Sequence, residues 1–335
     1  MGRISMLSAT PKMATLLLVN PDSRLGAKLY PHYLGLLKSA VNLVDAGFTH
    51  SQHDMAGRIR EGLEGGVRRF IIGGGDGTLS AAADVLADTD AVLGILPLGT
   101  GNTFSRGLGL PATAPKLVHL LAQGPLARYD LGVARKDSRQ TMFLNSLTMG
   151  FSERLVELLT RESKNRLGHL AWIMEFRQAL AATPTLTIKI GWPGGSDEYE
   201  TRQLVVVNGR TIAAGITATP QSSGQDGLLE IFRLGAPSLS SIFKLGAKLL
   251  AGRLLSDSEA HYRMLPEVTI DSNPALPASI DGDIWLSPPL QCRVLPAALW
   301  VISPIHSTPS PDRWPLVAQT LGAPRVSPRQ TGLPL

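Results

Sequence analysis

Hydrophobic and polar positions along this chain follow two textures. From Ala14 to about Gln123, short apolar runs bounded by turn residues (Ala14 to Val19, Phe70 to Ile72, Val92 to Leu96) take turns with segments of helical spacing. Runs of the first kind suit strands buried on both faces, and recurrence every three or four positions suits amphipathic helices. Leu34, Leu37, Ala40, Val41 and Val44 repeat as one helix face, Ile59 to Leu63 continue a second helix, and Ala81, Ala82, Ala83, Val85 and Leu86 form a third. Strand, helix, strand, helix, strand, helix predicts a three-layer α/β domain. After Gly124-Pro125 the texture changes. Tyr129 to Ala134, Met142 to Met149, Leu186 to Ile190, Leu204 to Val207, Leu229 to Leu234 and Glu267 to Ile270 are short β-rich runs separated by turns, which predicts a mainly antiparallel second domain.

Two helical inserts are expected within that second domain, Arg154 to Leu159 with Leu167 to Ala181, and Leu239 to Leu255. The latter sets Lys244, Lys248 and Arg253 against Leu245, Leu249, Leu250 and Leu254, a face suited either to an anionic membrane surface or to ordinary packing and solvation. The expected organisation is a disordered extension over 1–13, an α/β domain over 14–125, a β domain over 126–302, and a disordered Pro-rich tail over 303–335.

Composition narrows the partners. At 335 residues, 44% hydrophobic and 18% charged, the chain can build two cores. Its net charge of +5 favours anionic partners: a nucleotide, an acidic membrane surface or nucleic acid. Nucleic acid is the weakest of the three, since Arg and Lys are scattered and aromatics make up only 5%. No apolar stretch is long enough to cross a bilayer. The single cysteine, Cys292, excludes an internal disulfide and suits a reducing cytoplasm. A cytoplasmic protein in peripheral contact with the inner membrane face is the expectation.

Candidate chemistry concentrates where apolar runs end in glycine. Phe70-Ile71-Ile72 stops at Gly73-Gly74-Gly75-Asp76-Gly77-Thr78, ahead of a helical segment. Glycines let bare N–H groups close on a ligand, and a helix start adds unpaired donors and a positive dipole end, which suits phosphate. Asp76 beside such a cradle points to a metal–nucleotide rather than a bare anion, although it also reads as a helix cap. The next run ends in Pro97-Leu98-Gly99-Thr100-Gly101-Asn102-Thr103. Two consecutive strands opening into glycine loops fit a crevice at the carboxyl ends of parallel strands. Neither loop has P-loop or regular Rossmann spacing.

Gly-Gly-Asp-Gly-Thr followed by Pro-Leu-Gly-Thr-Gly-Asn resembles the catalytic domain of the diacylglycerol kinase and sphingosine kinase family, in its bacterial lipid-kinase form, over roughly Leu16 to Ile302. The resemblance implies ATP and Mg²⁺, a lipid substrate, a β-sandwich second domain and a cleft between the domains. Asn20, in Asn20-Pro21-Asp22-Ser23, matches the family's first nucleotide loop, with its usual glycine displaced to Gly26. Thr49 aligns with a threonine near the nucleotide. Asn20, Thr49, Gly74, Gly75, Asp76, Gly77, Thr78, Gly99, Thr100, Gly101 and Asn102 become the implied nucleotide site, with Asp76 organising Mg²⁺ directly or through water. The stretch Asp226-Gly227-Leu228-Leu229 resembles a structural Mg²⁺ motif whose ligands would be Asp226 and the carbonyls of Ser223 and Leu228. At Ile280-Asp281-Gly282-Asp283 the family has Asp-Gly-Glu, which makes Asp283 the implied general base, one methylene shorter. Thr103 stands where many relatives have Asp, and Ala213 and Ala214 replace glycines usual after Asn208-Gly209-Arg210. These departures keep one rival open, a non-catalytic lipid- or nucleotide-binding member; a second is NAD kinase, which shares Gly-Gly-Asp-Gly-Thr but not the second loop.

Overall fold

The computed structural model describes residues 10, 12–151, 183–213, 216–217, 222–234, 260–282 and 284–304. The helical inserts expected over 154–181 and 239–255 lie outside the described residues, as does Asp283.

The N-terminal domain runs β1 (Ala14–Val19), α1 (Gly26–Ala40), β2 (Asn42–Phe48), α2 (Gln52–Glu64), β3 (Arg69–Gly74), α3 (Asp76–Leu86), β4 (Val92–Pro97), α4 (Thr103–Gly107) and α5 (Ala114–Gln123). Its strands pair in parallel in the order β2-β1-β3-β4. Alternation along each central strand divides the core. Leu16, Leu18, Phe70, Ile72, Leu93 and Ile95 pack with Met55 and Ile59 of α2 and Leu79 and Ala83 of α3. Leu17, Val19, Ile71 and Leu96 pack on the other face with Leu37 of α1 and with Leu117 and Leu121 of α5. That is the expected three-layer arrangement.

The expected α1 face is corrected. Val41 and Val44 do not continue the α1 face: the helix ends at Ala40, Val41 is extended, and Val44 belongs to β2. The strand lies at the sheet's edge with Val44 53% exposed, so its apolar residues form no continuous buried run. Parallel pairing of Leu17 with Ala46 and of Val19 with Phe48 holds it in place.

The second domain comprises β5 (Leu126–Lys136), β6 (Arg139–Phe143), β7 (Ser146–Gly150), β8 (Leu186–Trp192), β9 (Gly195–Thr201), β10 (Gln203–Val207), β11 (Thr211–Ala213), β12 (Ile216–Thr217), β13 (Leu229–Leu234), β14 (Ala260–Leu265), β15 (Glu267–Asn273), β16 (Ala278–Ile280), β17 (Ile284–Leu286) and β18 (Leu290–Ile302). The run expected over Met142 to Met149 is two strands, broken at Leu144-Asn145, where backbone N–H groups turn to a carboxylate instead of a neighbouring strand. A six-stranded antiparallel sheet, β14-β13-β10-β7-β16-β17, packs on the antiparallel strands β18, β15 and β8. Leu147, Met149, Leu204, Val206 and Ile231 meet Ile188, Val268, Ile270, Cys292 and Val294 in a shared core.

The two domains share β18. Its first half pairs antiparallel with β15, and its last residues, Trp300 and Val301, pair in parallel with Val92 and Leu93 of β4. Between them the register against β5 shifts from Leu295 to Leu299, with Ala297 at φ 52 beside Pro296. A bulge bends the strand and re-aims it, which lets one strand serve both layers. Leu299 and Val301 lie in the same core as Phe70 and Leu79 of the α/β domain and Leu131 and Leu144 of the β domain.

Because Leu299 is fully buried in that shared core, Leu299→Ala should lower unfolding stability by about 2–5 kcal/mol. Both domains should still melt in one calorimetric transition. Two separated transitions in the parent chain would contradict a shared core.

Candidate active site

The carboxyl ends of β3 and β4 meet. The carbonyl of Gly74 accepts hydrogen bonds from the N–H groups of both Leu98 and Gly99, each at 3.0 Å. A Cβ built on Gly99 would stand 2.4 Å from Gly75 Cα, so only glycine lets the two loops touch. Helix α3 then begins with Gly75 as its N-cap and no capping side chain, which leaves the N–H groups of its first turn unclaimed by any cap.

Asn20 borders the same place. Its backbone N–H donates to the Gly73 carbonyl at 2.9 Å and its side-chain amide to Thr78 Oγ1 at 3.2 Å. The displaced glycine has a role of its own, since a Cβ on Gly26 would fall 2.0 Å from the Asn20 carbonyl oxygen. Helix α1 can therefore start directly beneath the Asn-Pro loop. Asn20, Thr49, His50, Gln52, Gly77 and Thr78 line a cavity of about 200 Å³ between β1, α2 and α3. The expected members Gly74, Gly75, Gly99, Thr100, Gly101 and Asn102 do not line it; they form the adjoining strand ends and loop.

Two of these side chains are committed to the loops themselves. Asp76 accepts from the N–H of Thr103 at 2.9 Å, the N–H of Phe104 at 3.0 Å and Asn145 Nδ2 at 3.3 Å. Its carboxylate thus caps α4 across the crevice, in the direction the helix dipole favours. Asn102, with φ 49, accepts from Gly99 N–H at 2.9 Å and donates to the Gly99 carbonyl at 3.0 Å, fastening its own turn. Thr100 and Gly101 are exposed. Thr103, the departure from Asp, turns its carbonyl to Thr211 Oγ1 at 2.9 Å and so ties α4 to the loop after Asn208.

The second domain reaches this crevice through the turn between β16 and β17. Asp281, at φ 49, is deeply placed; its carboxylate accepts from the N–H groups of Leu144 (2.7 Å), Asn145 (2.9 Å) and Ser146 (3.0 Å) and from the hydroxyl of Ser80 in α3. Burial pushes its pKa above the ordinary range, and the four donors oppose that shift. Asp281 is thereby docked against α3 one helical turn beyond Asp76. Sequence reasoning missed Asp281, Ser80, Asn145 and Asp130. The signals available were an acid inside the apolar run Tyr129 to Ala134 and an Asn inside Met142 to Met149.

Asp226, Ser223 and Leu228 lie in a separate region. Asp226 Oδ1 accepts from its own Leu228 N–H at 3.1 Å, and Ser223 lines a cavity of about 220 Å³ with Tyr129, Asp130, Asn208 and Arg210. Asp130 is buried beside Asp226 and accepts from Gly227 N–H and Ala297 N–H, both at 2.7 Å. Burial first, and the Asp226 charge as well, push its pKa up to about 6 against the donors that lower it. Two carboxylates in mutual repulsion next to backbone carbonyls, in a turn with Gly224 and Gly227 at positive φ, fit a hard divalent cation. Among the described residues no group of three His, Cys, Asp or Glu side chains could hold a metal. Another cavity, about 530 Å³, is lined by Arg135, Trp192, Thr269 and Arg293 and shares no residue with either glycine loop.

Comparison with known proteins bears on this geometry. The model of the diacylglycerol kinase catalytic domain matches residues 14–134, and that of the YegS C-terminal NAD kinase beta sandwich-like domain matches residues 145–303. A protein of Pseudomonas fluorescens named "Probable lipid kinase YegS-like" is 34% identical over 252 residues, covering 74% of this chain and 82% of its own. Its namesake in Pseudomonas putida is 29% identical over 308 residues, covering 91% and 97%. A crystal structure of a diacylglycerol kinase from Bacillus anthracis matches with a TM-score of 0.66 at 22% identity, over 87% of this chain and 96% of that one. At that identity the likeness is one of fold. Among the described residues no helix is long and apolar enough to cross a membrane.

The raised pKa of Asp130 has a pH signature. Between the ordinary 3.8 and about 6 the folded chain keeps a proton that the unfolded chain has lost, so this contribution to stability is full below 3.8 and disappears as pH rises through 6. In metal-free buffer, Asp130→Asn should therefore gain about 1–3 kcal/mol on the parent chain between pH 4 and 7. A difference in unfolding free energy that stays constant across that range would contradict the assignment.

Proposed function

Since the chain belongs to the diacylglycerol kinase family, in its YegS-like lipid kinase form, we propose that it transfers the γ-phosphoryl group of ATP to the hydroxyl of a lipid such as a diacylglycerol, a related glycerolipid or a sphingoid base. The observation that carries this reading is the contact of the two glycine loops with the Asp281 turn docked beside them on α3.

Phosphoryl transfer asks a protein chiefly for positioning and charge neutralisation, with no covalent nucleophile. The first turn of α3 offers unclaimed N–H groups to phosphate oxygens, and Asn20, Thr49 and Thr78 border the cavity beside them. Asp76 keeps the second loop closed against the first, which fixes the shape of the crevice into which Mg·ATP would fit. Asp283 would take the proton of the lipid hydroxyl from the far side, and the shorter side chain demands a closely held turn; Asp281 supplies that hold. Asp226 and the carbonyls of Ser223 and Leu228, backed by Asp130, would hold a divalent cation, whose chemistry there is to neutralise paired carboxylates and order the turn. Peripheral contact with a membrane follows from a lipid substrate and a net charge of +5.

Purified protein incubated with γ-labelled ATP and a mixed lipid extract should place label in an extractable phosphomonoester. Asp76→Asn and Asp283→Ala should each reduce that rate by at least about 100-fold, the first by letting the two glycine loops part and misplacing the phosphates, the second by removing the proton acceptor. Labelling that survives both changes would refute the residue roles. Label transferred to added NAD and not to lipid would point to NAD kinase.

A further inference from the structure

Asn145 belongs to no motif that sequence reasoning singled out, yet it touches both acids of the site. It sits in the break between β6 and β7 and is 3% exposed. Its side-chain Nδ2 donates to Asp76 Oδ1 at 3.3 Å, and its backbone N–H donates to Asp281 Oδ1 at 2.9 Å. Its carbonyl accepts from the N–H groups of Asn208 at 2.8 Å and Gly209 at 3.1 Å. One residue is therefore bonded to the first glycine loop, to Asp281 after β16, and to the loop that Thr211 ties to α4.

Charge decides how the amide stands. An ionised carboxylate only accepts, so the amide nitrogen, not its oxygen, faces Asp76. The oxygen, Oδ1, is buried with no hydrogen-bond partner among the described residues. A residue needed only to fill this space would do better apolar, as the adjacent Leu144 is. Retaining a half-satisfied amide makes sense where its one donor does something a hydrocarbon cannot.

We infer that Asn145 is a positioning residue for phosphoryl transfer. Its amide fixes the direction of the Asp76 carboxylate while its backbone seats the Asp281 turn, so the spacing between triphosphate loop and far-domain acid is set through a single residue. This rests on the phosphotransferase reading above.

The test uses the full chain with two substitutions, Asn145→Ala and the isosteric Asn145→Asp, which keeps the volume and removes the donor. Each is also made in an Asp76→Ala background, and kcat and KM for ATP are measured with mixed-lipid vesicles alongside the unfolding midpoint. Both single variants should lose about 10- to 100-fold in kcat, the range for residues that orient a functional side chain through a hydrogen bond. KM for ATP should change by less than about 3-fold, and Mg·ATP should still raise the unfolding midpoint. In the Asp76→Ala background either change should cost less than about 3-fold, because the group that Asn145 orients is gone. An Asn145→Asp variant with parental kcat, or equal losses in both backgrounds, would overturn this inference alone. A parent chain that labels no lipid would overturn the phosphotransferase reading and this inference together.

Discussion

The site depends on one polar edge of helix α3. Asp76, Ser80 and Asp84 follow one another at intervals of four, so they stand in line on one face. Each meets the second domain: Asp76 takes the Asn145 amide, Ser80 donates to Asp281, and Asp84 accepts from the backbone at Met142. Bringing carboxylates into such a seam costs desolvation, visible in the raised pKa of Asp84 and Asp281. Backbone N–H groups freed by the break between β6 and β7 offset that cost, because a buried carboxylate with several donors is far better satisfied than one with none. Polar pairing of this kind has directional geometry that apolar packing lacks, which suits a seam where distances matter to chemistry.

The same seam explains why two domains of different texture behave as one platform. Strand β18 leaves the sandwich, bends at Pro296-Ala297 and completes the parallel sheet next to β4. A common core containing Phe70, Leu131, Leu144 and Leu299 lies behind it. Asp281 and Asp76 are thus held from opposite sides by elements that share packing. The paired acids Asp130 and Asp226 stand apart from this arrangement, behind α4, and serve the loop rather than the crevice.

Much of this was legible in the sequence. Continuous apolar strands against alternating ones separated the α/β domain from the antiparallel one, and abrupt stops at glycine marked the strand ends that touch. Edge strand β2 escaped because Val41 and Val44 fall at helical spacing with Leu37, and an exposed strand leaves no buried run to betray it. The break at Leu144-Asn145 escaped because apolar pattern alone does not register where hydrogen bonds leave the ladder. The roles of Asn145, Ser80 and Asp281 were hidden for a different reason. Their partners are 69 and 201 positions away, and a polar residue inside an apolar run marks burial without naming the distant group it meets.

A structure of the chain with a non-hydrolysable ATP analogue and magnesium tests the central claim most directly. The expected result is a nucleotide bordered by Asn20, Thr49 and Thr78, its triphosphate on the backbone of Gly75 to Thr78, and its terminal phosphate facing the turn after Asp281. A nucleotide bound away from the meeting point of β3 and β4, or a terminal phosphate directed away from the second domain, would contradict it.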